Sequence, residues 1–247
     1  MTDLHCHILH DMDDGPSELE ESLELCRIAV GNHISKIVAT PHIADLSAAD
    51  DFLRRRDRRM AELNNALERH DIKLAVIAGA EVLVTDELFY ANRLNLLTIN
   101  RSRYLLAEFP YVGLNINTLT RYVSEIKNHG LIPIIAHPER CVYFQREFEL
   151  VEHLAREGVL YQVNAGSLCR GGRKEEYKLA LKLLSRKTAS FLATDAHSVA
   201  HRPSNLLEML FCIPQTVPFG YIDKLVNINP ETVIQNGEIA EDPEKWL

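Results

Sequence analysis

Short apolar runs alternate along this chain with longer segments in which apolar residues recur every three or four positions. Runs at Thr2–His5, Ser35–Ala39, Lys73–Ala80, Tyr104–Ala107, Leu131–Ala136, Val159–Val163 and Ala189–Ala193 read as seven strands. The fifth, Leu131–Ala136, is apolar almost throughout, as expected of a strand buried on both faces. Between them, helical spacing is clear from Ser17, with Leu19, Leu23, Leu25 and Ile28 on one face, and from Ala49 to Arg69, with Phe52, Met60, Leu63 and Leu67 inward. Ser17 is placed to cap the first of these helices. Further helices are predicted at Asp86–Leu94, Thr118–His129, Phe148–Glu157 and Glu175–Arg186, with a short last one opening at Asn229-Pro230-Glu231. Strands alternating with helices imply a parallel sheet with right-handed crossovers. Seven such units with no G-x-G-x-x-G or G-x-x-x-x-G-K-[ST] fingerprint point to an α/β barrel rather than an open doubly wound sheet.

The 247 residues fit one domain, and no linker, repeat or low-complexity tract divides them. A formal net charge of −8 disfavours a nucleic-acid partner held through phosphates. The basic cluster Arg54–Arg59 is interrupted by Asp57 and reads as a solvated helix face. Neither a membrane span nor a signal peptide is visible, so a cytoplasmic protein is expected. Five scattered cysteines, Cys6, Cys26, Cys141, Cys169 and Cys212, without a C-x-x-C pair, read as reduced thiols packed as small apolar groups.

Candidate chemistry sits where each strand ends. In chain order the terminal residues are His5 and His7, His42, Glu81, Glu108, His137, Asn164, and Asp195 with His197. In a barrel these ends open on one face, so residues scattered through the sequence converge on one pocket. His5 and His7 are two apart on a strand and point the same way, which suits a metal ion held by neutral imidazoles. The acidic turn Asp11-Met12-Asp13-Asp14 adds oxygen donors. Each residue also has a plainer use: Asp195, for example, is placed to cap a helix starting near Ser198. Cys6, between the two histidines, should alternate away from them into the barrel wall.

The constellation His5-Cys6-His7, Asp14, His42, Glu81, Glu108, His137 and Asp195-Ala196-His197 resembles the PHP family of metal-dependent phosphoesterases over residues 3–203. Within it, His5-x-His7 with Asp13-Asp14-Gly15-Pro16, Thr40-Pro41-His42, His137-Pro138-Glu139-Arg140 and Asp195-Ala196-His197 with Arg202-Pro203 are similar to bacterial manganese-dependent protein tyrosine phosphatases encoded with capsule and exopolysaccharide genes. The resemblance implies a distorted (β/α)7 TIM-like barrel holding three metal ions. His5, His7, Glu81 and Asp195 would hold the first. Glu81 would bridge to a second, completed by Glu108 and His137, and Asp14, His42 and His197 would hold the third. Arg140 and Arg202 match phosphate-contacting arginines. The implied partner is a phosphotyrosine-bearing bacterial tyrosine kinase, with a homo-oligomer also admitted.

Nitrogen and carboxylate donors without thiolate favour manganese or iron, with zinc admissible. Closely spaced ions lower the pKa of bridging water and supply hydroxide near neutral pH, which would attack phosphorus in line. Asp11, His10 or a metal-bound water would protonate the leaving phenolate. A small-molecule phosphatase of the histidinol-phosphate type is the alternative enzyme, and a non-catalytic module with a partly filled metal site the alternative of another class. The segment from Pro203 onward, with Phe211, Ile213, Val217, Phe219 and Trp246, would close the barrel bottom or form a subunit interface.

Overall fold

The computed structural model describes residues 1–169 and 173–240. Nine strands are seen: β1 (Thr2–Cys6), β2 (Lys36–Ala39), β3 (His42–Ile43), β4 (Ala75–Ala78), β5 (Glu81–Leu83), β6 (Tyr104–Glu108), β7 (Ile132–Ala136), β8 (Leu160–Asn164) and β9 (Phe191–Ala193). They pair in parallel in the orders β1-β2-β4 and β3-β5-β6-β7-β8-β9. β2 and β3 are one strand broken at Thr40-Pro41, and β4 and β5 one broken at Gly79-Ala80, so the nine segments occupy seven places. Pro41 has no N–H for a ladder, which accounts for the first break. At the second, a Cβ on Gly79 would lie 2.8 Å from Val38 Cγ1, so glycine is required there. The ring closes where Cys6 bridges Ala196 in parallel, with Asp195 N–H donating to His5 O at 2.9 Å and His7 N–H to Ala196 O at 2.8 Å. The architecture is the α/β barrel that the alternating pattern predicts.

Among the described residues ten α-helices accompany the strands: α1 (Leu19–Gly31), α2 (Ala49–Arg69), α3 (Leu94–Leu97), α4 (Ile116–Asn128), α5 (Val142–Arg146), α6 (Phe148–Arg156), α7 (Lys174–Ser185), α8 (Leu206–Leu210), α9 (Phe219–Asp223) and α10 (Asn229–Ile234). Predicted and observed bounds of α2 coincide. The helix expected over Asp86–Leu94 is instead a 3₁₀ turn at Asp86–Tyr90 followed by α3. Ser17 does not cap α1; the cap position is Glu18, with no side-chain bond. Nor is the basic cluster of α2 wholly solvated: Arg56 is buried and donates to the carbonyls of Gly79 and Leu96. No helix begins near Ser198, where residues 198 and 202 form an antiparallel bridge.

Two apolar layers result. One lies between strands and helices and includes Cys6, Leu105, Ile135, Tyr161, Val163 and Leu192. The other fills the barrel's lower interior, with Leu4, Val38, Tyr104, Leu106, Ile134 and Phe191, closed from below by Val233 of α10. Alternation along β8 shows the division: Tyr161 and Val163 face the helices, while Gln162 and Asn164 face inward and upward. The register of β1 against β2 shifts between Asp3 and Cys6. That irregularity lets Leu4 join the lower apolar layer while His5 belongs to the polar layer above it.

The cysteine reading needs correction. Cys169 and Cys212 form a disulfide across 43 residues, whereas Cys6, Cys26 and Cys141 are free and buried. The expectation failed because spacing in sequence carries no information about which distant segments pack together. Of the apolar residues named in the last segment, Ile213 and Val217 are buried, but Phe211 and Phe219 are both 82% exposed. Trp246 lies outside the described residues.

Candidate metal centre

Above the apolar plug the inward positions turn polar. The end of β1 presents His5 and His7; the loop after it supplies Asp13 and Asp14; β3 brings His42, β5 Glu81 and β6 Glu108. His137 follows β7 and Asp195 follows β9, both with left-handed backbone, at φ 29° and 53°. Such conformations in non-glycine residues cost about 1–3 kcal/mol each and are held by their surroundings. Here the turn swings the side chain back over the barrel mouth.

Hydrogen bonds fix how the rings face. His5 Nδ1 is 2.8 Å from Gln162 Oε1, and Gln162 is itself oriented by its donation to Asn164 Oδ1 at 2.9 Å. His7 Nδ1 is 2.7 Å from Asp13 Oδ2, and His197 Nδ1 is 2.8 Å from the carbonyl of Asp195. Each partner accepts, so each Nδ1 carries the proton and each Nε2 offers a lone pair. Those lone pairs converge. His5 Nε2 and His7 Nε2 stand 3.1 Å apart, with Glu81 Oε2 at 3.1 and 3.2 Å and Asp195 Oδ1 at 3.4 Å from both. Buried Glu81 Oε2 and His197 Nε2 have no hydrogen-bond partner among the described residues. A buried acceptor facing only other acceptors calls for a cation.

Three donor sets meet there, each with ligand atoms within 4.8 Å of one another: His5, His7, Glu81 and Asp195; His7, Asp14, His42 and His197; and His42, Glu81 and Glu108. His137 Nε2 lies 2.8 Å from Glu81 Oε1 and 3.7 Å from Glu108 Oε1. All nine ligand candidates are therefore brought to one place. The grouping differs from the expected one: His42, not His137, completes the set with Glu81 and Glu108, and both His7 and His42 belong to two sets, His42 turning Nδ1 toward Glu81 at 3.1 Å and Nε2 toward Asp14 at 3.6 Å. The donors, imidazole and carboxylate without thiolate, fit a divalent manganese, iron or zinc ion.

Charge is balanced tightly. Burial opposes ionisation of Glu81 and Asp195, yet the surrounding imidazoles, His5 foremost, hold both carboxyls well below their usual range. Burial likewise works against a charge on His5, but Glu81 and Asp195 outweigh it and raise its pKa. His197 goes the other way, to about 4, through burial and the neighbouring charge of His7.

Over this cluster opens a pocket of about 330 Å³ lined by Asp14, His42, Tyr111, His137, Arg140, Asp195, His197 and Arg202. Arg202 Nη1 is 3.0 Å and Arg140 Nη1 3.5 Å from Asp195 Oδ2, so one carboxylate faces the histidines with one oxygen and both guanidinium groups with the other. Asp11 is not brought there. Its carboxylate pairs with Arg59 of α2, whose hydrogen bond lowers its pKa, and it is exposed. His10 turns to Glu62 at 3.1 Å. Cys6 points away from the rings, its Sγ 3.7 Å from Ser204 Oγ.

Asp13, expected only as one of the oxygen donors of its turn, and Gln162 and Tyr111, with no expected role, enter the site as hydrogen-bond partners of its residues. Asp13 also accepts from His42 N–H at 2.8 Å and is held at about pKa 2 against the effect of burial, chiefly by its bond to His7. Tyr111 donates to Glu108 Oε1 at 2.6 Å and accepts from Arg140 Nη1 at 3.2 Å. The polar Gln162 inside the apolar run of β8 was the one available signal; nothing in the sequence marked Tyr111.

Residues 1–235 match the family model described as capsular polysaccharide synthesis, CpsB/CapC. The chain belongs to the CpsB/CapC family. CapC of Staphylococcus aureus is 36% identical over 216 residues, covering 85% of this chain and 82% of its own length. The tyrosine-protein phosphatase YwqE of Bacillus subtilis is 32% identical over 250 residues, covering 98% of this chain and 95% of its own. Among solved structures, one from work on YwqE of Bacillus subtilis and CpsB of Streptococcus pneumoniae, described as metal-dependent tyrosine phosphatases, superposes with TM-score 0.81 at 30% identity, covering 98% of each chain. A phosphotriesterase homology protein of Escherichia coli shares the fold at TM-score 0.57, with 10% identity over 95% of this chain and 98% of that one. Among the described residues no helix is long and apolar enough to cross a membrane.

Proposed function

We propose that this CpsB/CapC family member is a metal-dependent protein tyrosine phosphatase, acting in the cytoplasm on an autophosphorylated tyrosine kinase of capsule or exopolysaccharide synthesis. The observation that carries the reading is the buried cluster of imidazole lone pairs and carboxylates opening directly beneath two arginines. Three divalent ions, manganese by preference, would be held by His5, His7, Asp14, His42, Glu81, Glu108, His137, Asp195 and His197. Bound there, they would polarise the phosphoryl oxygens and lower the pKa of water toward neutrality.

The chain's own residues do the rest. Arg140 and Arg202, both resting on Asp195, are placed to donate to phosphoryl oxygens and to absorb charge that grows in the transition state. Asp195 keeps them aimed at the same point as the histidines. Tyr111 restrains Arg140 and Glu108 together, which limits the motion of a long side chain at the pocket edge. A phenolate leaves readily, its conjugate acid having a pKa near 10. Asp11, turned to Arg59, has no part in this account.

The test is hydrolysis of a phosphotyrosine peptide and of histidinol phosphate by metal-stripped protein with manganese restored. Peptide turnover should dominate and should fall about 10²–10³-fold in Arg140→Ala, the scale for losing one preorganised donor, with metal content unchanged. Preference for histidinol phosphate would move the protein to small-molecule chemistry, and turnover of neither would overturn the reading.

A further inference from the structure

The pocket, about 330 Å³, accounts for a phosphorylated side chain but not for the polypeptide on either side of it. Beside it runs a larger hollow, about 740 Å³, between residues 112–117 and the length of α5 with Glu147 after it. Its two walls continue the pocket's own: Tyr111 and Arg140 line the pocket, while Val112 and Val142 line the groove. Val142 N–H donates to Tyr111 O at 2.9 Å and ties the walls together.

The groove's surface is unusual for this molecule. Among the described residues, large apolar side chains are exposed at few positions, and Tyr111, Val112 and Ile116 are three of them, with Val112 67% exposed. Val199, also exposed, lies in the turn that carries Arg202. Apolar patches beside a polar site mark where a partner is covered. Of its charged lining residues, Arg146 and Glu147 are both exposed, and no ion pair is seen for either among the described residues.

Resting on the phosphatase reading, we propose that this groove binds the polypeptide flanking the phosphotyrosine, in an extended form, with an apolar side chain next to the phosphotyrosine against Val112 and Ile116 and an acidic one beyond it at Arg146. The occupant is a tyrosine-bearing segment of a substrate protein, because the groove is continuous with the pocket mouth, so that chain leaving that mouth runs into it. A substrate without flanking chain leaves it empty.

Steady-state kinetics on the manganese-loaded protein separate the possibilities. The substrates are p-nitrophenyl phosphate and two phosphotyrosine peptides, one with leucine and glutamate flanks, one with glycine and serine flanks. Wild type should favour the leucine–glutamate peptide by at least tenfold in kcat/KM. Val112→Asp and Arg146→Glu should each erase most of that preference through KM, leaving p-nitrophenyl phosphate turnover within twofold, which also reports intact folding. Equal use of both peptides, or variants that leave the preference intact, would overturn the groove assignment while leaving the phosphatase. Absence of turnover on all three substrates would overturn the phosphatase reading, and this inference with it.

Discussion

Asp13 and Gln162 touch no phosphate, yet they decide which nitrogen of His7 and His5 is bare. Removing such an outer partner typically lowers metal affinity 10–100-fold. Asp13→Ala should therefore weaken manganese binding by that factor in calorimetric titration while the far-ultraviolet spectrum stays unchanged. Protons enter the same measurement. With the pKa of His5 and His7 raised, the metal-free rings keep a proton into a range where free histidine has lost it. Metal uptake at pH 7 should release protons, and affinity should climb as pH rises through the raised values. Heats that do not depend on the buffer's ionisation enthalpy would contradict this. Asp3 offers a third test. Burial lifts its pKa from 3.8 to about 6 despite hydrogen bonds from Thr194. Because the folded value is the higher one, its ionisation costs stability as pH rises from about 3.8 through about 6, by roughly 2–3 kcal/mol at neutral pH. Asp3→Asn, which keeps an acceptor for Thr194, should gain more in Tm at pH 8 than at pH 4. At this scale eight of the nine ligand candidates were legible because strand ends have a fixed place in a barrel, and Asp14, in the loop after β1, through the family resemblance. Asp13, Gln162 and Tyr111 act through hydrogen bonds to other side chains, and their partners lie 6, 157 and 3 residues away with no common spacing.

Elements fared according to their periodicity. α2, with its long amphipathic face, was legible to the residue. The 86–97 region was not, because two short turns fit within the one helical spacing. The break at Gly79 was hidden, since the apolar run Lys73–Ala80 reads through it, and the resumption of the second strand beyond Pro41 was not foreseen; the breaks matter because they set Glu81 at the head of β5 rather than past a strand's end. The disulfide ties the turn after β8 to the end of α8. Closing a 43-residue loop restricts the unfolded chain by about 4 kcal/mol in the chain-entropy account. Reduction, or Cys212→Ser, should lower Tm by several degrees in scanning calorimetry; unchanged melting under reductant would show that the bridge contributes nothing to folding in solution.

At the level of the molecule, residues 231–237 close the barrel floor. Val233 completes the inner apolar layer, Tyr104 Oη donates to Gly237 O at 2.8 Å, and Lys36 pairs with Glu231 at 2.5 Å. Val233→Ala should cost about 2 kcal/mol, or roughly 4–8 °C at 2–4 °C per kcal/mol for a chain of this size, with kcat nearly unaffected because the change lies below the plug. The sequence offered only scattered apolar residues here, and which of them face the barrel depends on how the chain crosses its floor.

The hydrogen bonds that join His5 and His7 to Asp195 and Ala196 link chain positions about 190 residues apart. Ring closure and assembly of the first donor set are thus a single event, and it needs both ends of the barrel sequence. On a ribosome the histidines of β1 emerge first and wait for β9 before they can share an ion. Contacts this distant form late. An ion held by His5, His7 and Asp195 would therefore bind only the closed ring, and by favouring that state it would act as a latch on the β1–β9 seam.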